Sequence, residues 1–382
     1  MVKFPKIDVV DILTLLVFGL YPFGQLIRFA GVHPLEVILL ILGIANLFKS
    51  QPINLSSLHP FAGFLIVAMF SLFLSLSFFR VDQILVGAGY LARIIIIGAF
   101  YLYLKRITKD PEKKHHILSS LLISGVCLAV FGWIQYLFFP DLRFMKIFNW
   151  DDHYYRLVST LFDPAFTAII IVLAAIISLS LKKHVLFIFL LVSLLVTYSR
   201  SGYLSFALGS FYFFYHTHQI KKFIVLMLVL VLGLMILPTP GGEGVNLRRT
   251  NSIVQKIAES KISFTIFSQN PVFGIGFNNL CIAKVNLGVS SSQNHSCSGT
   301  DNSLLFVLTT TGIVGLMIFG HLVTQVYRQT ASNTYGRVFK ASVVAILVHS
   351  LFTNTLFYLW ILVWLAVLVA LSRTSVRDSS IQ

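Results

Sequence analysis

The stretch GTDNSLLFVLTTTGIVGL, residues 299–316, sets a carboxylate at the mouth of a long apolar run. Drawing Asp301 into an apolar phase would cost solvation energy. Two readings follow. Asp301 caps the helix that starts at Asn302 or Ser303, or it is the proton acceptor of a reaction centre. Three groups of cations raise the matching question. Arg200 stands in TYSRSGYL (197–204), between two apolar runs, with Ser199 and Ser201 beside it. Its planar fork of donors suits phosphate oxygens; as a plain turn residue it would snorkel to lipid headgroups. Arg248 and Arg249 lie at the start of an amphipathic segment, where a helix N-terminus favours anions. Which of the two points inward is open, and so is a plain solvated pair. Arg93 lies inside YLARIIIIGAF, where a charge must face the bundle interior or water. It is either a structural ion pair or a ligand contact. Asp82 is 11 residues away, about 16 Å along a helix, and is no obvious partner.

Further proton acceptors are few: His295, Asp151, Asp152, His153, Asp163, Glu243 and Glu259. Asp163 precedes Pro164, the common arrangement of a helix cap followed by proline. No metal site emerges. His216 and His218 have no carboxylate near them, and His115 and His116 are neighbours in a basic loop. GIGFNN lacks the lysine and the strand–helix context of a phosphate-binding loop.

The elements that must position these residues are apolar. Of 382 residues, 57% are hydrophobic and only 11% charged, against roughly a quarter charged in soluble domains. The chain reads as an all-α polytopic membrane protein forming one integral membrane domain over 1–382. Apolar runs suggest about twelve transmembrane helices: 8–24, 34–48, 60–79, 84–104, 117–139, 163–181, 185–198, 202–215, 222–238, 303–327, 338–355 and 357–372. Ten is the alternative, since the runs within 185–215 and 338–372 are short. Residues 9–20 read as the start of a first membrane helix rather than a cleaved leader.

The net charge of +15 fits basic residues that hold cytoplasmic loops in place, not a nucleic-acid partner. With the N-terminus inside, 17 of the 29 Lys and Arg residues fall in cytoplasmic segments. The same map puts 140–162 and 239–302 on the outer face. Within the larger loop, PTPGGEG (238–244) is a flexible exit. LRRTNSIVQKIAES (247–260) then sets Ile253, Val254, Ile257 and Ala258 at helical spacing, an amphipathic helix against a membrane surface or cleft. SQNPVFGIGFNNL (268–280) bends at Asn270-Pro271, with two glycines where backbone is approached closely. Cys127 reads as core, and whether Cys281 and Cys297 pair is open. No internal repeat supports the inverted symmetry of many transporters.

Taken in order, RLVSTLFDPAFTAIII, TYSRSGYLSFALG, the Arg-led amphipathic helix, NPVFGIGFNNL, TDNSLLFVLTTTGIVGL and HSLFTNTLFYLWILVWL resemble the O-antigen ligase/O-antigen polymerase family across roughly residues 84–372. The resemblance implies an inverting, metal-independent glycosyltransferase without a cofactor. It implies residence in a bacterial inner membrane, with the active site facing the periplasm or exterior. The donor would be an oligosaccharide on undecaprenyl diphosphate, and a chain-length regulator would be a possible protein partner beside the membrane lipid. Arg200 matches the arginine of the family's Ser-Arg motif, and Arg248 or Arg249 resembles the arginine preceding the loop helix. Arg93 and Arg156 join these three as expected diphosphate contacts. Ligases of the family carry His-Asn or His-Ser where this chain has Asp301-Asn302, and His295 lies six residues upstream. That departure favours a polymerase, with Asp301, Arg200 and His295 as the catalytic set. A ligase or protein-glycan transferase is the alternative, and a solute transporter is the reading from another class.

Overall fold

The computed structural model describes residues 9–29, 31–48, 59–148, 150–291, 297 and 299–373. It is 76% helix, and no strand occurs among the described residues. A helix forms over each of the twelve apolar runs: α1 Val9–Leu20, α2 Pro34–Leu47, α3 His59–Leu74, α4 Val81–Ile107, α5 Pro111–Phe138, α6 Pro164–Ser180, α7 His184–Val196, α8 Arg200–His216, α9 Ile220–Ile236, α12 Ser303–Arg328, α13 Thr334–Ser350 and α14 Leu359–Arg373. Two more, α10 Asn251–Gln269 and α11 Leu280–Asn286, lie in the long connection between α9 and α12. By length and composition α4, α5 and α12 could each cross a bilayer. The apolar helices mark an integral membrane protein. α9 illustrates why: only Leu226 and Leu230 are buried, while Ile224, Val225, Leu228 and Met235 are exposed. Such a surface is stable against lipid tails rather than water.

Local chemistry sets the helix ends. Asp110, Asp163, Ser199, Asn302 and Asn333 each accept a backbone N–H from the first turn of the helix that follows, which satisfies donors that have no partner within the helix. Between α6 and α9, three turns of three residues each hinge on one left-handed residue, Lys182, Tyr198 and His218. Turns this short force antiparallel neighbours. α6 is the axis of the bundle, buried continuously from Thr167 to Ser178 and packed by α5, α7, α8 and α13. Its small and β-branched side chains let four neighbours approach at once.

One irregularity shapes the first half of α12. α12 breaks at Gly312, whose φ is 69°, and the loop 271–276 fills the break. Ile275 and Gly276 donate to the carbonyls of Thr309 and Thr310, at 3.1 Å each, while the amides of Ile313 and Val314 reach Pro271 and Val272. A Cβ on Gly312 would sit 2.1 Å from the Val272 carbonyl oxygen, so only glycine permits the contact. Ser71 on α3 donates to the carbonyls of Phe273 and Thr310 and clamps the joint.

Candidate active site

The starts of α6, α8, α10 and α12 and the end of α13 converge on a cleft of about 1240 Å³. Its walls carry Arg156, Arg200 and Arg249 on one side and Asp301 and Lys256 elsewhere, with Asp163, Ser199 and Ser201 between helix starts.

Arg200 is the first residue of α8. A cation in the first turn opposes the helix dipole, so the local sequence favours something other than helix stability there. Its guanidinium crosses to the start of α10, donating to the Arg249 carbonyl at 2.8 Å and to Ser252 Oγ at 2.7 Å. α10 has no side-chain cap of its own, and Arg200 ties its first turn down. Arg249 points inward, donating to the carbonyls of Gly244 and Asn246. Arg248 is exposed and does not line the cleft. The structure thus resolves which of the pair faces the candidate site. Arg156 donates to the carbonyls of Thr197 and Tyr198, and Arg249 reaches the same Tyr198 oxygen. The two guanidiniums therefore stand close together.

Among the described residues no carboxylate forms a salt bridge with Arg156, Arg200 or Arg249. Their hydrogen bonds go to neutral oxygens, which satisfy donors without cancelling charge. Burial, and then the neighbouring charge of Arg249, push Arg156 down to about 10, with the charge of Asp163 offsetting part of the fall and Arg200 adding to it. Burial and Arg200 likewise lower Arg249. Three like charges held together in a partly dry cleft favour an anion.

Asp301 is not the helix cap. Asn302 takes that role, accepting from Leu304 and Leu305 at 2.9 and 3.1 Å. Asp301 is left at the cleft wall, 2.7 Å from Lys256 Nζ, which also donates to the Phe352 carbonyl. The approach to it is braced. Cys281 and Cys297 form a disulfide, and Lys284, only 2% exposed, bonds Glu259 on α10 and the Gly299 carbonyl. Asp163 is an N-cap, bonded to the amides of Ala165 and Phe166, and still lines the cleft.

Arg93 requires a correction. It does not line the cleft but pairs with Glu36 on α2 at 2.5 Å, with Tyr90 against its guanidinium. Its charge is neutralised within the bundle, so the diphosphate expectation for it fails. His295 lies outside the described residues. Among the described residues no group of three or more His, Cys, Asp or Glu side chains could hold a metal.

Two histidines stand at this end: His153, one of the proton acceptors named from the sequence, and His349, which was not singled out there. His153 lines the cleft at 8% exposure, and its Nε2 has no hydrogen-bond partner among the described residues. Burial, with Arg156 adding to it, pushes its pKa down to about 4. His349, at the end of α13, is wholly buried and bonds Ser201 and Thr355. The only sequence signal for His349 was a histidine at the end of an apolar run.

On the α10 side of the cleft Ile253, Ile257 and Phe264 stand among Ser252, Gln255, Lys256, Ser260, Lys261 and Thr265, and Leu204, Leu305 and Phe352 add apolar surface. The expected amphipathic helix exists, but begins at Asn251 and runs on to Gln269. A charged head and a hydrocarbon tail would both find a surface here.

Comparison with known proteins agrees with the motifs. Residues 185–320 match the family model described as O-antigen ligase. The match spans α7 to the middle of α12 and includes Arg200, Arg249, Lys256 and Asp301, while Arg156 and His349 fall outside it. No curated protein matched the chain.

Proposed function

We propose that this chain, whose residues 185–320 match the O-antigen ligase family model, polymerises oligosaccharide repeat units carried on undecaprenyl diphosphate into a surface polysaccharide. One observation carries this reading: three arginines meet in one cleft with no carboxylate bridged to them. The donor's diphosphate supplies the missing negative charge. An acceptor hydroxyl attacks the anomeric carbon from the face opposite the diphosphate, so the configuration inverts. The C–O bond to phosphate breaks, and its electron pair leaves on a phosphate oxygen held by Arg156, Arg200 and Arg249. Preorganised charge aimed at a developing anion is the strongest lever available to such a site. The apolar side chains Ile253, Ile257 and Phe264 of α10, with Leu204 and Leu305, take the first part of the polyprenyl chain, and the Asp301–Lys256 pair orients the acceptor. Arg248 stays in solvent and has no part in this scheme.

In this scheme the twelve apolar helices all span the membrane, the ends carrying Lys113, Lys182 and Arg328 are cytoplasmic, and 239–302 is the outer loop of a bacterial inner-membrane protein. Basic residues gather at cytoplasmic ends, and the Cys281–Cys297 disulfide suits an oxidising outer space. The polymerase reading over the ligase one rests on Asp301, since the ligases resembled here have His at that position.

Purified protein in liposomes, given only lipid-linked repeat units, tests the proposal. A ladder of lengthening glycans is expected. Transfer of single units to a lipid A–core acceptor without any ladder would identify a ligase instead.

A further inference from the structure

A hydrogen-bonded chain leads from the arginine side of the cleft into the bundle. Ser199 and Ser201 line the cleft beside Arg200. Their hydroxyl oxygens are 3.2 Å apart. Ser201 Oγ lies 3.2 Å from His349 Nε2, and His349 Nδ1 lies 2.6 Å from Thr355 Oγ1. His349 and Thr355 are both at 0% exposure.

The polarity of this chain can be read from its inner end. Thr355 Oγ1 donates to the Thr353 carbonyl at 3.2 Å. Its lone pair therefore accepts from His349 Nδ1–H, which leaves Nε2 as the ring's lone pair. Ser201 then donates its proton to Nε2. A hydroxyl at the cleft, a base behind it and a third group fixing the base's tautomer are the parts of an activated hydroxyl. The plain alternative is a buried histidine satisfied by two hydroxyls. The ring also has a hydrogen bond with the Ala165 backbone, and the link from Nε2 to a cleft-lining serine is what opens it to the cleft.

We propose that Ser201 and His349 form a proton relay that takes the proton of the attacking sugar hydroxyl. The proposal rests on the glycosyl-transfer reading above and names where its proton goes. Asp301 is less suited to that task, because Lys256 already neutralises its carboxylate at 2.7 Å. The acceptor oxygen bonds to the anomeric carbon, and the bond from that carbon to the diphosphate oxygen breaks. The hydroxyl proton moves to Ser201 Oγ as Ser201's own proton moves to His349 Nε2. The electron pair departs with the diphosphate. The imidazolium then returns its proton through Ser201 to the departing phosphate or to water in the cleft. Asp163 and Lys256 are the charged side chains that act on this ring, and they are of opposite sign.

The test uses the full chain in liposomes, with lipid-linked repeat units for turnover and inorganic diphosphate as the binding probe. Ser201→Ala removes one atom at the cleft wall and is expected to lower kcat about a hundredfold, the usual scale of general-base loss. KM and inorganic diphosphate affinity stay within twofold. Ser201→Thr restores the hydroxyl and recovers most of kcat, which a packing role would not produce. His349→Gln, which keeps hydrogen bonding but not basicity, matches Ser201→Ala, and the double variant is no worse than either single one because the two act as a unit. Wild-type transfer with an undiminished kcat in folded Ser201→Ala overturns the relay alone. A wild-type chain that transfers nothing overturns the glycosyl-transfer reading and the relay with it.

Discussion

The molecule holds two sets of buried or half-buried arginines, and they are treated in opposite ways. Arg93 sits against Glu36 at 2.5 Å, and both side chains are largely hidden. Arg156, Arg200 and Arg249 sit together and bond only neutral oxygens. A charge that serves the fold is given its counter-ion by the chain. The second set is left without a bridging carboxylate among the described residues, as the proposed diphosphate site requires. The cost of the second arrangement is visible in the lowered pKa of Arg156 and Arg249, driven first by burial and then by a neighbouring guanidinium, Arg249 acting on Arg156 and Arg200 on Arg249.

The contrast breaks most sharply at Arg200. Arg200→Ala should reduce polymer formation by about 10²–10³-fold, the scale for losing one preorganised group at a developing anion. Glycan ladders measured at equal amounts of inserted protein check this. Arg93→Met should do the reverse, costing about 3–5 kcal/mol of stability by stranding Glu36, while turnover per folded molecule stays near wild type. Thermal unfolding in detergent measures the loss. Adding Glu36→Met should recover much of it, because replacing a buried pair with apolar groups is often neutral. A double variant as unstable as the single one would mean that Arg93 does more than neutralise Glu36.

Asp301→Asn sharpens the comparison on the acceptor side. It keeps size and frees Lys256, and should raise KM for the acceptor and cut kcat/KM about tenfold, the worth of roughly 1.4 kcal/mol. Unchanged steady-state kinetics would reduce the pair to a loop clamp. A smaller effect is expected at His153. Its folded pKa of about 4 lies below the ordinary 6.5, so the unfolded chain takes up the proton first as pH falls. The stability that its neutral form contributes is whole above pH 6.5 and drains away toward pH 4. The midpoint of thermal unfolding should fall across that window, and His153→Gln should flatten the fall. Arg248→Ala, in solvent, should change activity by less than twofold.

The helices were legible because membrane residence writes itself into long apolar runs. Each run fell on a helix, and the helix-capping role of Asp163 followed from its neighbour Pro164. Other features depended on contacts that spacing along one element does not reveal. Glu36 is 57 residues from Arg93, so a search along the same helix found only Asp82. Asp301 and Asn302 are both good caps, and only the backbone geometry gave the role to Asn302. Arg248 and Arg249 are neighbours of the same type, and a turn of one residue decides which faces inward. His349 was within a quoted motif, but its link to Ser201 joins positions 148 residues apart. In this cleft the residues that carry charge were readable by type, and the ones that relay or neutralise it were not.

The mechanism depends on the proposed hold of the arginine cluster on the lipid diphosphate. It is tested most directly by titrating undecaprenyl diphosphate into the protein in lipid nanodiscs. The account predicts saturable binding that weakens with salt, as contacts between charges do, and that falls at least tenfold in Arg200→Ala but not in Arg248→Ala. Equal affinity in wild type and Arg200→Ala would contradict it.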